Sequence, residues 1–184
     1  MDKSRDTGHL LTEKINPRTT HLDECATEEI IELIMNEDST ITDAVSRELN
    51  NISSAVDLIS ERLERGGRLI FAGAGTSGRL GVMEAAECPP TFGTDPSQVQ
   101  AVIAGGERAV LQSIEGAEDS VSESVDRLRE LDTGGNDVIV GIAASSTTPY
   151  VESALEYARD SGSATIFVTC NPVERKLADV TITL

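Results

Sequence analysis

The sequence predicts an α/β domain: a parallel five-stranded sheet with helices on both faces, Rossmann-like, preceded by N-terminal helices. Three observations carry this. Five short runs rich in Val and Ile recur at 68–72, 99–104, 137–143, 164–169 and 180–184. They are almost continuously apolar, as strands covered on both faces are. Between them lie helical stripes, Val121, Val125, Leu128 and Leu131 in one and Val151, Ala154, Leu155 and Ala158 in another. Strand and helix alternating at this spacing give parallel crossover units.

The elements follow in order. Residues 1–26 read as disordered or irregular, with a polar lead over 1–10 and Pro17 inside a polar stretch. Residues 27–67 read as N-terminal helices. Thr27 is a candidate N-cap, with Glu28 and Glu29 in the first turn ahead of Ile30, Ile31, Leu33, Ile34 and Met35. A longer helix begins near Ser39 and Thr40. Ile41, Val45, Leu49, Ile52, Val56, Ile59 and Leu63 step by three or four as one continuous stripe, which Gly66-Gly67 ends. Such a stripe must lie against something, either the rest of this chain or a second copy, and a homodimer is expected. Residues 68–184 form the α/β domain. The sequence stops inside an apolar run at Leu184, so it is expected to be a piece of a longer protein.

Charge narrows the partners. The 184 residues hold 15 Lys and Arg against 32 Asp and Glu, a net charge of −17. Phosphate backbones would be repelled, so no nucleic acid is expected as a partner. The acidity reads either as a solvated surface that keeps the protein soluble or as adaptation to high salt, which screens self-repulsion. No apolar run approaches the ~20 residues of a membrane span, so no membrane partner is expected. Cys25, Cys88 and Cys170 are sparse and odd in number, and the first residues lack the apolar core of an export signal. They read as reduced thiols of a cytoplasmic protein. No Cys/His cluster has zinc spacing, so no metal is expected.

In a parallel sheet, ligands bind beyond the carboxyl ends of the strands. After the first strand comes Gly73-Ala74-Gly75-Thr76-Ser77-Gly78, a G-x-G-x-x-G match that alone is a weak signal. The dinucleotide reading needs a compact unit with an acid at the end of the second strand. Here Cys88-Pro89-Pro90 interrupts a long gap, and the first acid after the second strand, Glu107, comes too late. A phosphate monoester fits better. Backbone N–H groups, the Thr76 and Ser77 hydroxyls and the helix dipole would all point at the anion. A plain tight turn with capping hydroxyls is the alternative. After the third strand comes Ser145-Ser146-Thr147-Thr148-Pro149, with Thr148 as N-cap and Pro149 as first helical residue. Four hydroxyls exceed what capping needs. Two such cradles, Gly75, Thr76, Ser77 and Gly78 with Ser145, Ser146, Thr147 and Thr148, favour a sugar phosphate as the small-molecule partner.

Two carboxylates stand out beside these loops. Glu87 precedes Cys88-Pro89-Pro90, where prolines are expected to stop the helix, and the negative end of a helix favours the neutral acid. Glu118 follows Gly116 near the start of the next helix, which favours the carboxylate. One acid and one base make a workable proton-transfer pair, with surface glutamates as the plain alternative.

From about Leu11 to Leu184 the sequence resembles the N-acetylmuramic acid 6-phosphate (MurNAc 6-phosphate) etherases. The matching stretches are Leu11-Thr12-Glu13 with Asn16-Pro17, Gly66-Gly67-Arg68-Leu69-Ile70, Gly73 to Gly81, Ala86-Glu87-Cys88-Pro89-Pro90-Thr91, Ile103-Ala104-Gly105-Gly106, Glu115 to Asp119, Val140 to Ser145, Thr148-Pro149-Tyr150 and Cys170-Asn171-Pro172. The resemblance implies the sugar isomerase (SIS) fold, Glu87 as proton donor and Glu118 as the second catalytic residue and base. It implies a lyase that removes D-lactate from MurNAc 6-phosphate, leaving GlcNAc 6-phosphate, with no cofactor. Glucokinase regulatory proteins, which share this fold and bind phosphosugars without turning them over, supply the rival reading of a regulatory module. A phosphosugar isomerase is disfavoured, because no His or Lys lies in the expected site. The second cradle departs from the family's Ala-Ala-Ser-Gly-Arg-Thr-Pro-Tyr: Ser146 stands at the Gly and Thr147 at the Arg. Family members also continue past the position of Leu184 into further helices.

Overall fold

The computed structural model describes Gly8, residues 10–173 and residues 175–184. The polar lead expected over 1–10 lies outside the described residues, apart from Gly8 and Leu10. Leu10 is buried, and 3₁₀ turns follow at Leu11–Glu13 and Leu22–Glu24.

Three helices come next: α1 (Thr27–Asp38), α2 (Ile41–Arg47) and α3 (Leu49–Glu64). Ala26, rather than Thr27, is the N-cap of α1, and the Glu29 carboxylate accepts from the Ala26 N–H at 2.9 Å. That satisfies one of the N–H groups a helix start leaves unpaired. The single helix expected along the 41–63 stripe is broken. Glu48 turns at φ −93°, ψ 7°, and its N–H donates to the Val45 carbonyl. Packing explains the break. Ile52, Ala55, Leu58 and Ile59 of α3 lie on the sheet, whereas Ile41, Val45 and Leu49 stay exposed. No residue of α2 is buried among the described residues, so the core does not hold α2 on the axis of α3.

The remaining elements are β1 (Leu69–Gly73), α4 (Gly75–Phe92), β2 (Val99–Ile103), α5 (Arg108–Leu111), α6 (Val121–Glu130), β3 (Val138–Ile142), α7 (Pro149–Asp160), β4 (Ala164–Thr169) and β5 (Val180–Thr183). The strands form one sheet in the order β2-β1-β3-β4-β5, every neighbouring pair parallel. This is the five-stranded parallel sheet the apolar runs predict.

Alternate residues of each strand face opposite layers. Val138, Val140, Ala164, Ile166 and Ile182 pack with Ala55 of α3. α4 covers the same face, with Gly81 so close to Phe71 that a Cβ there would lie 2.6 Å from the Phe71 Cβ. On the other face Ile70, Ala72, Val102 and Ile139 pack against Leu128 of α6 and Ala154 and Ala158 of α7. Leu128 and Leu155 are wholly buried, and each such side chain contributes about 1.5–3 kcal/mol. Val121 of the expected α6 stripe stays exposed at the first position of its helix.

α4 also departs from expectation. It runs through Pro89 and Pro90 to Phe92 instead of stopping before them. Each proline removes one helical hydrogen bond, yet the helix continues past them, with Pro89 half-buried and Pro90, Thr91 and Phe92 exposed. Gly93, at φ +68°, closes it by donating to the Pro89 carbonyl at 2.9 Å.

Candidate active site

The strand order reverses between β1 and β3. α4 leaves β1 toward one face and α7 leaves β3 toward the other, so the two connections diverge and open a crevice. Gly73 and Ile142 are register partners at its floor. The fold therefore sets loops 75–78 and 145–148 at adjacent strand ends.

Gly75 has φ +54°, with nothing within 4 Å of where a Cβ would sit. Glycine takes this left-handed conformation cheaply. The first-turn N–H groups of α4, at Gly75, Thr76 and Ser77, lie ahead of the helix's own hydrogen bonding. Thr76 is exposed and Ser77 half-buried. Gly78 differs. It is buried, its N–H donates to the Ala74 carbonyl at 3.2 Å, and a Cβ would lie 2.6 Å from the Gly73 carbonyl oxygen. Its part is to let α4 close on β1.

In the second loop the Ser145 hydroxyl oxygen accepts from the Thr147 N–H at 3.4 Å and from the Thr147 hydroxyl at 3.3 Å. Ser146 is buried and sits at φ +61°, the region a glycine would occupy without strain. Thr148 is the N-cap of α7 and Pro149 its first residue, as the sequence predicts, although the Thr148 hydroxyl makes no capping hydrogen bond.

Two cavities open at this end of the sheet. A small one, about 70 Å³, is lined by Gly75, Arg79, Gln112, Ser113, Ala117 and Glu118, among others. Glu118 is carried there on a 3₁₀ turn, Ala117–Asp119, entered through Gly116 at φ +73°. A larger one, about 480 Å³, includes Leu10, Leu11, Ser146, Thr147, Asn171 and Arg175 in its lining. The two cradle loops thus border different cavities.

Glu87 lines neither. It is exposed on α4, twelve residues beyond Gly75, which is about 18 Å along a helix. It also lies well inside α4 rather than at its end, because the helix continues through the prolines. A single chain does not bring Glu87 and Glu118 to one cavity.

Arg79, one turn into α4, directs its guanidinium at the loop beyond β2. Nε donates to the Val110 carbonyl at 3.1 Å and Nη2 to the Gln112 carbonyl at 3.2 Å. Arg175, in the larger cavity, pairs with Glu152 at 2.7 Å and Glu156 at 3.3 Å. No spacing in the sequence points to Asn171 or Arg175 as cavity residues; the segment after β4 carries them there. The Tyr150 phenol is wholly buried and has no hydrogen-bond partner among the described residues. Burial first, and then the Glu123 charge, push its ionisation upward. Among the described residues no group of three or more His, Cys, Asp or Glu is arranged so that it could hold a metal ion. No described helix is long and apolar enough to cross a membrane.

The sequence profile of the glucokinase regulatory protein N-terminal SIS domain matches residues 51–159. The chain belongs to this SIS-domain family. Its similarity to curated proteins extends further. It is 51% identical over 163 residues to the N-acetylmuramic acid 6-phosphate etherase of Geobacillus thermodenitrificans, covering 89% of this chain and 55% of that protein. For the etherase of Clostridium botulinum strain Okra the figures are 49% over 175 residues, 94% and 58%. For that of Salinibacter ruber they are 51% over 166 residues, 90% and 53%. The SIS chain thus spans about half the length of these relatives. In structure it is similar to a phosphoheptose isomerase from Neisseria gonorrhoeae, with a TM-score of 0.63 at 19% identity, over 85% of this chain and 84% of the other. It is also similar to the sugar isomerase domain of an RpiR transcription factor from Sphaerobacter thermophilus, with a TM-score of 0.56 at 16% identity, over 83% and 73%. At such identities the likeness establishes the fold, the SIS-type sheet.

Proposed function

We propose that this chain is the sugar-phosphate-binding part of a cytoplasmic N-acetylmuramic acid 6-phosphate etherase. The observation that carries this reading is Glu118 in the cavity bordered by Gly75, in a chain about half identical to proteins of that name. The phosphate rests on the first-turn N–H groups of α4 with the Thr76 and Ser77 hydroxyls, and Ser145, Ser146, Thr147 and Thr148 flank the sugar. The open-chain aldehyde acidifies the C2 proton. The Glu118 carboxylate removes it, the C2 electron pair forms the C2–C3 double bond, and the C3–O bond breaks. A carboxylic acid protonates the departing lactyl oxygen, and water then adds across the double bond. This is proton transfer and hydration, so it needs no metal or redox cofactor.

Glu87 is that acid. Because it stands far along α4 from its own chain's cradle, it serves the site of a second copy, and the functional unit is a homodimer. Leu80 and Met83, exposed on α4, fall on the helix face that carries Glu87 and supply apolar area for the contact.

A non-catalytic phosphosugar-binding module is the second reading. It is favoured by the family profile and by Thr147, which leaves the second cradle without an arginine. D-Lactate release from MurNAc 6-phosphate separates the two. The etherase reading expects release that Glu118→Gln cuts by ~10²–10⁴-fold. Phosphosugar binding without lactate release favours the module.

A further inference from the structure

Every protein residue named above as lining the small cavity belongs either to the start of α4 or to the loop between β2 and α6. That loop is long, and two side chains hold it. At its ends, Glu123 of α6 accepts from the Gly105 N–H at 2.9 Å, joining positions eighteen residues apart. Gly105 sits at φ +82°, and a Cβ there would lie 3.1 Å from Ile114, so the loop's entry packs against its own middle. Along its span, Arg79 grips the carbonyls of Val110 and Gln112. Beyond those grips the chain passes through Ser113 and Ile114 to Gly116 and the 3₁₀ turn that bears Glu118. That turn has three residues: Ala117 is half-buried against the core cluster that includes Tyr150 and Val151 of α7, whereas Glu118 and Asp119 are exposed, so the side chains of the loop before it bear on where Glu118 sits.

Resting on the reading of Glu118 as the base, we propose that Arg79 and Glu123 are positioning residues. They hold the 105–119 loop so that the Glu118 carboxylate faces the cradle at the start of α4. Arg79 is the only cation beside the first cradle in the sequence, which invites its assignment to the substrate phosphate. Its geometry assigns it otherwise: two of its donors are committed to backbone carbonyls of the loop. A rigid planar fork suits two acceptors two residues apart, which a single ammonium cannot grip together. Glu123 needs only a carbonyl-type oxygen toward Gly105, so an amide in its place keeps the tie.

The test compares Arg79→Lys, Glu123→Ala and Glu123→Gln with the unaltered protein by amide hydrogen exchange and by kinetics with MurNAc 6-phosphate. Arg79→Lys and Glu123→Ala should speed exchange across 107–119 and leave the sheet's protection unchanged. Each should lower kcat ~10–100-fold with KM within about twofold, since misplacing a reacting group by about 1 Å costs that much. Glu123→Gln should restore both readouts. Unchanged exchange over 107–119 in Arg79→Lys and Glu123→Ala overturns the proposal. So does a raised KM with kcat intact in Arg79→Lys, which would make Arg79 a phosphate ligand. Glu118→Gln is the control for the underlying reading: full turnover there removes Glu118 as the base, while the exchange results still decide whether Arg79 and Glu123 hold the loop.

Discussion

The Asn171 side-chain oxygen accepts the Leu11 N–H at 2.6 Å, across 160 positions of sequence. The same amide donates to the Thr12 hydroxyl at 3.0 Å and to the Ala144 carbonyl at 2.9 Å. Asn171 is almost wholly buried, so it ties the N-terminal segment to the loop that leaves β3, across the wall of the larger cavity. Asn171→Ala is expected to lower stability by roughly 2–4 kcal/mol, because it removes several hydrogen bonds and leaves buried partners unpaired. Urea unfolding measures the loss. Limited proteolysis should show new cleavage near residues 10–13, and an unchanged pattern with unchanged stability would contradict the account.

Asp137 sets an acid limit on the fold. Its carboxylate accepts from Arg68 Nε at 3.0 Å and Nη2 at 2.7 Å, and from the backbone N–H groups of Arg68 and Gly134, each at 3.0 Å. Burial favours the neutral acid, but the hydrogen bonds from Arg68 and Gly134 outweigh it and hold the carboxyl below its ordinary range. The stabilisation is therefore present above the unfolded pKa, about 3.9, and is lost as pH falls through the folded value. Asp137→Asn should cost roughly 2–4 kcal/mol at neutral pH. The gap between variant and parent should shrink below about pH 4. A gap that stays constant through the acid range would contradict this.

Ser146 holds a left-handed conformation that disfavours any residue with a Cβ. Ser146→Gly removes that strain and adds some unfolded-state entropy, for a net gain of ~0.5–1 kcal/mol. The urea midpoint should rise with its slope unchanged. A fall would mean that the buried Ser146 side chain contributes more than its backbone costs.

The net charge of −17 makes stability sensitive to salt. Thermal unfolding in KCl should shift upward from dilute to molar salt as like charges are screened. A flat or falling melting temperature would mark an ordinary acidic surface.

The sheet was legible because buried parallel strands need continuous apolar runs, and all five stand out against polar helices. The adjacency of the two cradles was legible for the same reason, since strand ends are where such a sheet binds. The ends of helices were less so. Pro89 and Pro90 read as a stop, but the helix runs past them and closes only at Gly93. The stripe from Ile41 to Leu63 is periodic throughout, yet only its second half meets the sheet, and periodicity alone does not show where the packing partner ends. Asn171 and Arg175 reach the larger cavity only through the path of the chain after β4. The distance between Glu87 and Glu118 likewise depends on how far α4 runs and where the loop after β2 returns.

That distance supplies the most direct test. If Glu87 of one subunit serves the Glu118 of the other, Glu87→Gln and Glu118→Gln are each nearly inactive alone, yet complement each other. D-Lactate release from MurNAc 6-phosphate is measured for each variant and for an equimolar mixture after subunit exchange. Random pairing makes half the dimers mixed, each with one site holding both carboxylates, so the mixture should recover about a quarter of the unaltered activity. A mixture no more active than its components would contradict the shared site.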